Sequence, residues 1–550
     1  KSLLCTITPI TLVGGAAQDQ ATVAVCEPRS NRQYAHYRRE PPILRLLRLL
    51  TTCALALALS AAVAQGAPPQ STFTLGMSAE TATFYPPGTG GLFERNSFLQ
   101  IFDALMHREA DGTIVPRIAT SWEAVDVTTW RFVIRQGVTF TNGEALDAET
   151  VKASLDIYRA PDSVVASRYR NISEIVVVDD YTVDVLTSVP DPFLPNALTD
   201  NAFILPIDYL TQVGKEQFAS QPIGTGPYVL SEWVRGDRIV FAANSAYWGG
   251  EVAIARVIWR TIPEPSSRVA ALQNGEVDLI WEIPSIQVPL LERTPGVEVQ
   301  AGPSPRAVYI GLWPDSPVAG GEPLRDVRVR QALNYAINRQ AIVQALQRGY
   351  GTLISQPIPQ ANYLGYDASI EPYPYDPAKA RELLAEAGYP DGFSIELLTT
   401  ARYLTAEESQ AVAADLAAVG VKVKLVEVEY GQFVTRLTQE KSQSPMYSLS
   451  IQGTQGVDAY EIYSVAVAST GTFNWNHYTN PAVDALVAQM GSEFDDAARA
   501  ELAHQVAHLT HDDPPWIYLW NNSSIYGVKD IWDWTRRSDD LLSIYDDVRW

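Results

Sequence analysis

The stretch QPIGTGPY at residues 221–228 is the most distinctive segment of this 550-residue chain. Gly224 and Gly226 permit a tight backbone path, and Pro227 stiffens the exit from it. A chain that crosses between two lobes requires such a path. We therefore expect both glycines to have a structural role and not to contact a ligand.

Upstream of this stretch the sequence predicts mainly antiparallel sheet. Residues Trp130–Ile134 read as a strand, and Ile175–Val178 and Tyr181–Val185 read as a hairpin. Asp179 and Asp180 supply turn chemistry between the two β-branched runs.

Downstream of it, helices and strands alternate. Thr405 and Glu408 form a capping-box pattern ahead of one helix, and Gly388 and Gly420 are typical helix ends. Strand, helix and strand within about 35 residues indicate a βαβ unit, so a partly parallel sheet is expected here. The fold class is therefore α/β, with two lobes of differing architecture. The predicted elements are a helix over 377–387, a strand over 393–398, a helix over 405–420 and a strand over 421–425.

Composition limits the class of protein. With 46% hydrophobic residues the chain has material for more than one core, which excludes a disordered or collagenous protein. Its 41 basic and 63 acidic residues give a net charge of −22, which argues against a nucleic-acid partner. All three cysteines, Cys5, Cys26 and Cys53, lie in the first 53 residues. Disulfides, thiolate zinc sites and cysteine nucleophiles are therefore excluded from the rest of the chain.

The first 64 residues are typical of an upstream extension followed by a signal peptide. Arg45 and Arg48 precede an uncharged run from Leu49 to Ala64 that closes on small residues. This layout predicts export to the periplasm with cleavage after Ala64, and an uncleaved anchor is the alternative.

Five segments together resemble the extracytoplasmic solute-binding proteins of ABC importers, in the peptide, nickel and opine family known as family 5. They are 221–228 with Trp233, Gly236-Asp237 and 244–248; Leu324–Arg339; Phe132–Gly143; Asn274–Leu279; and Asn480–Leu486. Apolar residues from Leu324 to Val343 also fall near helical spacing, with arginines interleaved on the other face.

The resemblance implies a periplasmic-binding-protein clamshell whose first lobe carries an inserted sheet subdomain. Hinge motion about two chain crossings, near Leu312–Pro317 and Asp513–Ile517, would close the lobes over a solute. The implied organisation is lobe I over 71–104, 221–312 and 515–550, the inserted subdomain over 105–220, and lobe II over 317–513.

The implied function is capture of a peptide-like solute and its delivery to membrane permease subunits, by a soluble monomer with no cofactor. Arg402 and Tyr403 follow a strand in a βα turn and resemble the arginine turn that holds the carboxylate in dipeptide-binding relatives. A guanidinium can grip a carboxylate through two hydrogen bonds. A solvated arginine ahead of a helix is the alternative.

For the ammonium group, relatives use an aspartate in a stretch that also carries tryptophan, and this sequence departs from that pattern. Gln455 occupies the usual acidic position, and Asp458 would substitute from the next turn. The alternative is that Asp458 caps the helix that begins at Ala459. Tyr85 and Trp475 are the candidate aromatic contacts, although core packing explains them equally well.

Two other classes remain open at this stage. His504, His508 and His511 fall at i, i+4 and i+7, which would suit nickel or another metal, unless the stretch is only the end of a buried helix. A secreted hydrolase is disfavoured, because the sequence has no G-x-S-x-G, H-E-x-x-H or Walker motif.

Overall fold

A computed structural model describes residues 72–318, 320–359, 362–438, 444–453 and 458–549 of the chain. The predicted extension and signal peptide, residues 1–64, lie outside these ranges. Within them, no helix combines the length and the apolar character needed to cross a membrane.

One mixed sheet of eleven strands, counted over the described ranges, runs through both halves of the chain. The short strand Gly351–Leu353 pairs with Trp516–Lys529 beside the main path of the sheet. The α/β class predicted from the sequence is confirmed. The order across the main path is Val421–Glu427, Phe393–Thr399, Met446–Gln452, Val297–Leu312, Trp516–Lys529, Leu279–Ile280, Phe73–Met77, Arg256–Thr261, Arg238–Ala243 and Tyr228–Val234.

Two long antiparallel strands, Val297–Leu312 and Trp516–Lys529, join the halves of this sheet; we call them the long strand pair. The second strand pairs near Val528 with Leu279–Ile280, whereas the end of the first pairs with Met446–Gln452. The register between the two strands shifts between Pro303 and Ala307. This pairing favours chain crossings between the lobes that lie inside the two strands. In the first strand the crossing precedes the position predicted near Leu312–Pro317, and in the second it follows the position predicted near Asp513–Ile517. The domain limits themselves stay a prediction.

The region of the inserted subdomain contains an antiparallel four-stranded sheet. The hairpin predicted from Asp179-Asp180 is confirmed, and Asp179 Oδ1 accepts a hydrogen bond from the Tyr181 backbone N–H at 2.9 Å. The order is Ala119–Asp126, Thr129–Ile134, Thr182–Thr187 and Ile172–Asp179.

The predicted βαβ unit is also confirmed. Strands Phe393–Thr399 and Val421–Glu427 pair in parallel over their whole length, and helix Ala406–Ala418 connects them. Thr405 and Glu408 make both hydrogen bonds of the capping box. The carboxyl ends of the two strands therefore lie at one edge of the sheet.

The arginine-rich motif differs from its sequence prediction. It forms two helices, Val327–Tyr335 and Arg339–Leu346, and Arg330 and Arg339 are buried instead of lying on an outer face. Arg330 Nε donates to the carbonyl oxygen of Pro514 at 3.2 Å, which ties the first helix to the start of the long strand pair. Arginines fill such buried positions because their five donors can saturate carbonyl groups.

The two glycines of QPIGTGPY are structural for a different reason from the one predicted. The Gly226 backbone N–H donates to the carbonyl oxygen of Ile101 at 2.8 Å, and a Cβ at Gly226 would lie 2.5 Å from the Ile101 carbonyl carbon. The glycines therefore permit close packing on the end of helix Leu92–Ile101.

A buried ionic cluster joins the inserted subdomain to the C-terminal segment. His107 Nδ1 lies 2.9 Å from Asp200 Oδ1, and its Nε2 lies 3.5 Å from Asp546. Arg117 pairs with Asp546 and lies 3.5 Å from Asp103. Although burial lowers the pKa of His107, the carboxylate of Asp200, with a smaller contribution from Asp546, raises it above its ordinary value.

Short helices fill the connections between strands. The α-helices are Leu92–Ile101, Ala148–Arg159, Leu194–Leu198, Ile207–Phe218, Pro265–Gln273, Val288–Leu291, Val327–Tyr335, Arg339–Leu346, Pro377–Glu386, Ala406–Ala418, Tyr430–Thr438, Ala459–Ile462, Pro481–Met490, Asp496–Asp512 and Ile544–Asp547.

Candidate functional site

A cavity of about 640 Å³ opens at the carboxyl edge of strands Phe393–Thr399 and Val421–Glu427. In α/β sheets this edge is where ligand groups are commonly held, because the loops that follow the strands converge there. The cavity is lined by Thr400, Ala401, Arg402, Glu427, Val428, Glu429 and Tyr430.

Arg402 is the cation of this cavity. Its side chain is exposed, and its Cζ atom lies 4.6 Å from the centre of the Tyr430 ring. Tyr403 is half-buried and packs edge-on against Phe433 at 5.6 Å. Burial and the neighbouring Tyr430 hydroxyl raise the pKa of Tyr403 above its ordinary value, so this phenol is neutral at physiological pH. Arg402 thus presents a charged guanidinium group that lies beside aromatic rings.

Two acidic residues that the sequence analysis missed lie beside Arg402. Glu427 ends its strand and Glu429 follows two residues later, where Glu429 Oε2 accepts a hydrogen bond from the Gly431 backbone N–H at 2.7 Å. Their position after a strand parallel to Phe393–Thr399 was the signal that could have identified them. The cavity therefore offers a cation and two anions, which matches the two ends of a zwitterion.

Asp458 caps the helix Ala459–Ile462, as the alternative interpretation of the sequence predicted. Its Oδ1 accepts a hydrogen bond from the Tyr460 backbone N–H at 2.9 Å, and its Oδ2 accepts one from Arg499 Nε at 2.9 Å. Both side chains are buried. Arg499 thus already pairs with this carboxylate within the protein, and binding of a ligand ammonium group by Asp458 stays a prediction. Gln455, the other candidate, lies outside the described residues.

The two candidate aromatic residues are largely packed within the protein. Tyr85 is buried against Phe218, with Lys215 Nζ 5.8 Å from its ring centre. Trp475 is half-buried and meets Phe473 edge-on at 5.4 Å. The structure does not bring either ring to the Arg402 cavity.

The three histidines of the metal alternative each contact a different neighbour, and the alternative stays a prediction. His508 Nε2 lies 3.1 Å from Asp367, His511 Nδ1 lies 3.1 Å from the Ser355 carbonyl oxygen, and His504 lies 4.0 Å from Glu501. No group of three His, Cys, Asp or Glu side chains in the described ranges converges on a point that would hold an ion. The three imidazoles lie on one helix, as their spacing predicted, but each one contacts a different neighbouring group.

Aromatic contacts connect the inserted subdomain with residues of the predicted second lobe. Phe193 stacks on Tyr460, with ring centres 4.3 Å apart and planes 7° apart. Arg499 Cζ lies 5.0 Å from the centre of the Phe193 ring. Farther along, Trp130 stacks on Phe494 at 6.0 Å. We call Phe193, Tyr460 and Arg499 the interlobe clasp.

Comparisons with known proteins agree with this geometry. The family described as bacterial extracellular solute-binding proteins, family 5 Middle, matches residues 113–474. The chain is 33% identical over 406 residues to the glutathione-binding protein GsiB of Salmonella paratyphi A, covering 72% of this chain and 78% of that one.

Two solved structures have the same fold. HbpA2 from Haemophilus parasuis has a TM-score of 0.78 at 25% identity and covers 87% of this chain and 99% of its own. The periplasmic binding protein DppA from Helicobacter pylori, in complex with the peptide STSA, has a TM-score of 0.71 at 25% identity and covers 87% and 98%. The two-lobe binding-protein fold expected from the sequence is therefore confirmed.

Proposed function

Because the chain belongs to family 5 of the bacterial extracellular solute-binding proteins, the substrate-binding components of ABC importers, we propose that it captures a peptide-like small solute between its lobes and delivers it to a membrane permease. Its relatives are binding proteins and not enzymes. The mechanism is reversible capture, without covalent chemistry.

The long strand pair is the observation that carries this proposal. The first strand pairs with Met446–Gln452 near its carboxyl end, and the second pairs with Leu279–Ile280 near its own carboxyl end, so that the pair connects the two halves of the sheet. Bending at the irregular register near Pro303–Ala307 would move the carboxyl edge that holds Arg402 towards or away from the first lobe. Such hinge closure buries a ligand between two lobes.

The charges of the Arg402 cavity support a peptide-like solute. A peptide has a carboxylate and an ammonium group, and either charge left unpaired in a closed cleft would cost several kcal/mol. The guanidinium group of Arg402 would bind the carboxylate, and the carboxylates of Glu427 and Glu429 would bind the ammonium group. Glutathione, named for the relative at 33% identity, is the first solute to test.

The cellular setting follows from the same proposal. Cleavage after Ala64 would release residues 65–550 into the periplasm as a soluble monomer. There the closed, loaded protein would dock on the permease subunits of its importer.

The solute that the protein carries tests this function directly. Residues 65–550 are purified under native conditions and denatured, and the released small molecules are identified by mass spectrometry, with metal analysis alongside. A peptide or other organic zwitterion near one per chain is the expected result. Nickel or zinc near one per chain without an organic solute would contradict the proposal.

Calorimetric titration with glutathione then tests the site. Arg402→Ala is expected to weaken binding at least about tenfold, because a charge-assisted fork is lost. Lys422→Ala is the matched control, since Lys422 is exposed at the opposite end of the adjacent strand. Equal losses in both variants would remove Arg402 from the site.

A further inference from the structure

The Arg402 cavity contains opposite charges that do not pair with each other. Arg402, Glu427 and Glu429 all line it, and all three side chains are exposed. Within the described ranges, Arg402 nevertheless forms no ion pair with either glutamate. An internal ion pair would occupy the charges that a zwitterionic solute needs, so the separation of these groups bears directly on binding.

The ring of Tyr430 is what Arg402 contacts instead. Arg402 Cζ lies 4.6 Å from the centre of this ring, inside the range of about 6 Å over which a cation is attracted to an aromatic face. Such a contact holds a guanidinium without a carboxylate acceptor. The N–H groups of Arg402 therefore stay available for the carboxylate of a solute.

Tyr430 is itself held by packing. Its ring meets Tyr403 edge-on, with centres 6.2 Å apart and planes at 74°, and Tyr403 meets the buried ring of Phe433 at 5.6 Å. Tyr430 and Phe433 belong to the same helix, Tyr430–Thr438. Tyr430 still keeps 38% of its surface exposed. The helix and Tyr403 thus fix a ring that remains accessible to Arg402.

The two glutamates differ in how firmly they are held. Glu429 Oε2 accepts a hydrogen bond from the Gly431 backbone N–H at 2.7 Å, and a Cβ at Gly431 would lie only 3.0 Å from that oxygen. The side chain of Glu427 has no hydrogen-bond or ion-pair partner in the part of the chain that the structure describes. Because opposite charges in one cavity attract each other, Arg402 would turn to Glu427 if the Tyr430 ring were absent.

Resting on the proposed function, we propose that Tyr430 is a positioning residue whose ring keeps the guanidinium of Arg402 apart from Glu427 and Glu429, so that the cavity can receive both charges of a zwitterionic solute. Without the ring, an internal ion pair forms and the solute must break it to bind. The affinity then falls with the fraction of molecules whose charges are free. Tyr430 acts in this way through Arg402 and not through a contact of its own with the carboxylate.

Calorimetric titration of residues 65–550 with glutathione tests this role on three variants. Tyr430→Phe keeps the ring and should bind within about twofold of the wild type, whereas Tyr430→Leu should raise the dissociation constant at least about threefold. Tyr375→Leu is the matched control, since Tyr375 is 44% exposed and does not line the cavity. It should bind as the wild type does.

Salt separates a positioning role from a packing role. The dissociation constants of Tyr430→Leu and the wild type are compared at about 0.01 M and about 1 M salt, where the screening length falls from about 30 Å to about 3 Å. Salt weakens the internal ion pair of the variant, so the ratio of the two constants should fall as salt rises. Loss of packing, or of a direct contact between Tyr430 and the solute, would leave this ratio unchanged.

Glu427→Gln, made in both backgrounds, identifies the competing acid. In the wild type this change should weaken binding, because it removes an anion for the ammonium group. In Tyr430→Leu the same change also releases Arg402, so it should weaken binding by a factor at least about twofold smaller.

Wild-type affinity in Tyr430→Leu, a ratio that does not change with salt, or equal effects of Glu427→Gln in the two backgrounds would overturn the inference. If Arg402→Ala still weakens binding in that case, the proposed function stands without it. Failure of the wild type to bind glutathione or to carry any organic solute would overturn both.

Discussion

The interlobe clasp predicts how strongly closure depends on one aromatic ring. Phe193 stacks on Tyr460 with ring centres 4.3 Å apart, and Arg499 lies over the same ring at 5.0 Å. A stacked aromatic pair contributes about 0.5–1.5 kcal/mol, and a cation–π contact contributes at least about 0.5–1 kcal/mol. Phe193→Ala should therefore destabilise the closed state by about 1–2.5 kcal/mol.

This loss converts directly into affinity if the protein is open without solute, because the contact forms only on closure. A tenfold change in a dissociation constant corresponds to about 1.4 kcal/mol, so the dissociation constant should rise by about 5-fold to 60-fold. The assay is calorimetric titration of residues 65–550 with the solute identified by mass spectrometry. Tyr375→Ala is the control, since Tyr375 is an exposed aromatic residue of the second lobe.

A double-mutant cycle with Tyr460→Ala isolates the contact from other effects of the substitutions. The double variant should lose about as much affinity as Phe193→Ala. Tyr460→Ala should lose less, since it removes the stack but keeps the contact between Arg499 and Phe193. A dissociation constant for Phe193→Ala within about twofold of the wild type would refute the idea that this contact stabilises the closed state.

Three further outcomes test the rest of the structure. His107 has a pKa raised above its ordinary 6.5, so its protonated form stabilises the fold below that pH, and the stability is lost as pH rises through the raised value. Melting temperatures from pH 5 to 9 should therefore fall less steeply for His107→Gln than for the wild type, and identical slopes would contradict the ion pairs with Asp200 and Asp546. Gly226→Ala should lower the free energy of unfolding by about 1–3 kcal/mol, because the added Cβ would contact the backbone of Ile101 too closely. Denaturant unfolding measures this change, and an unchanged midpoint would contradict the close packing. Asp458→Asn should cost about 1.5–3 kcal/mol in stability, because it weakens a buried, charge-assisted hydrogen bond to Arg499, which keeps its ion pair with Asp496. Thermal melts are the measurement, and a loss of affinity alone would return Asp458 to the binding site.

Local patterns predicted much of the fold. The capping box at Thr405 and Glu408 and the turn at Asp179-Asp180 appear where the sequence indicated them, because short-range hydrogen bonds determine them. The location of Arg402 at a strand end also followed from the βαβ pattern.

The remaining features depend on contacts between residues far apart in the chain. Burial of Arg330 depends on its hydrogen bond to the Pro514 carbonyl oxygen. Asp458 pairs with Arg499, which lies 41 positions further along the chain. Helical spacing could align His504, His508 and His511 but could not show that each one turns to its own neighbour.

Small-angle X-ray scattering measures whether the two lobes close over a bound solute. Residues 65–550 are stripped of solute by unfolding and refolding, then measured without solute and with the identified solute at about one hundred times its dissociation constant. Closure of the lobes should give a smaller radius of gyration with solute, accompanied by a stabilisation of about 2.7 kcal/mol in parallel unfolding experiments. An unchanged radius of gyration with the solute bound would contradict capture by closure of the two lobes.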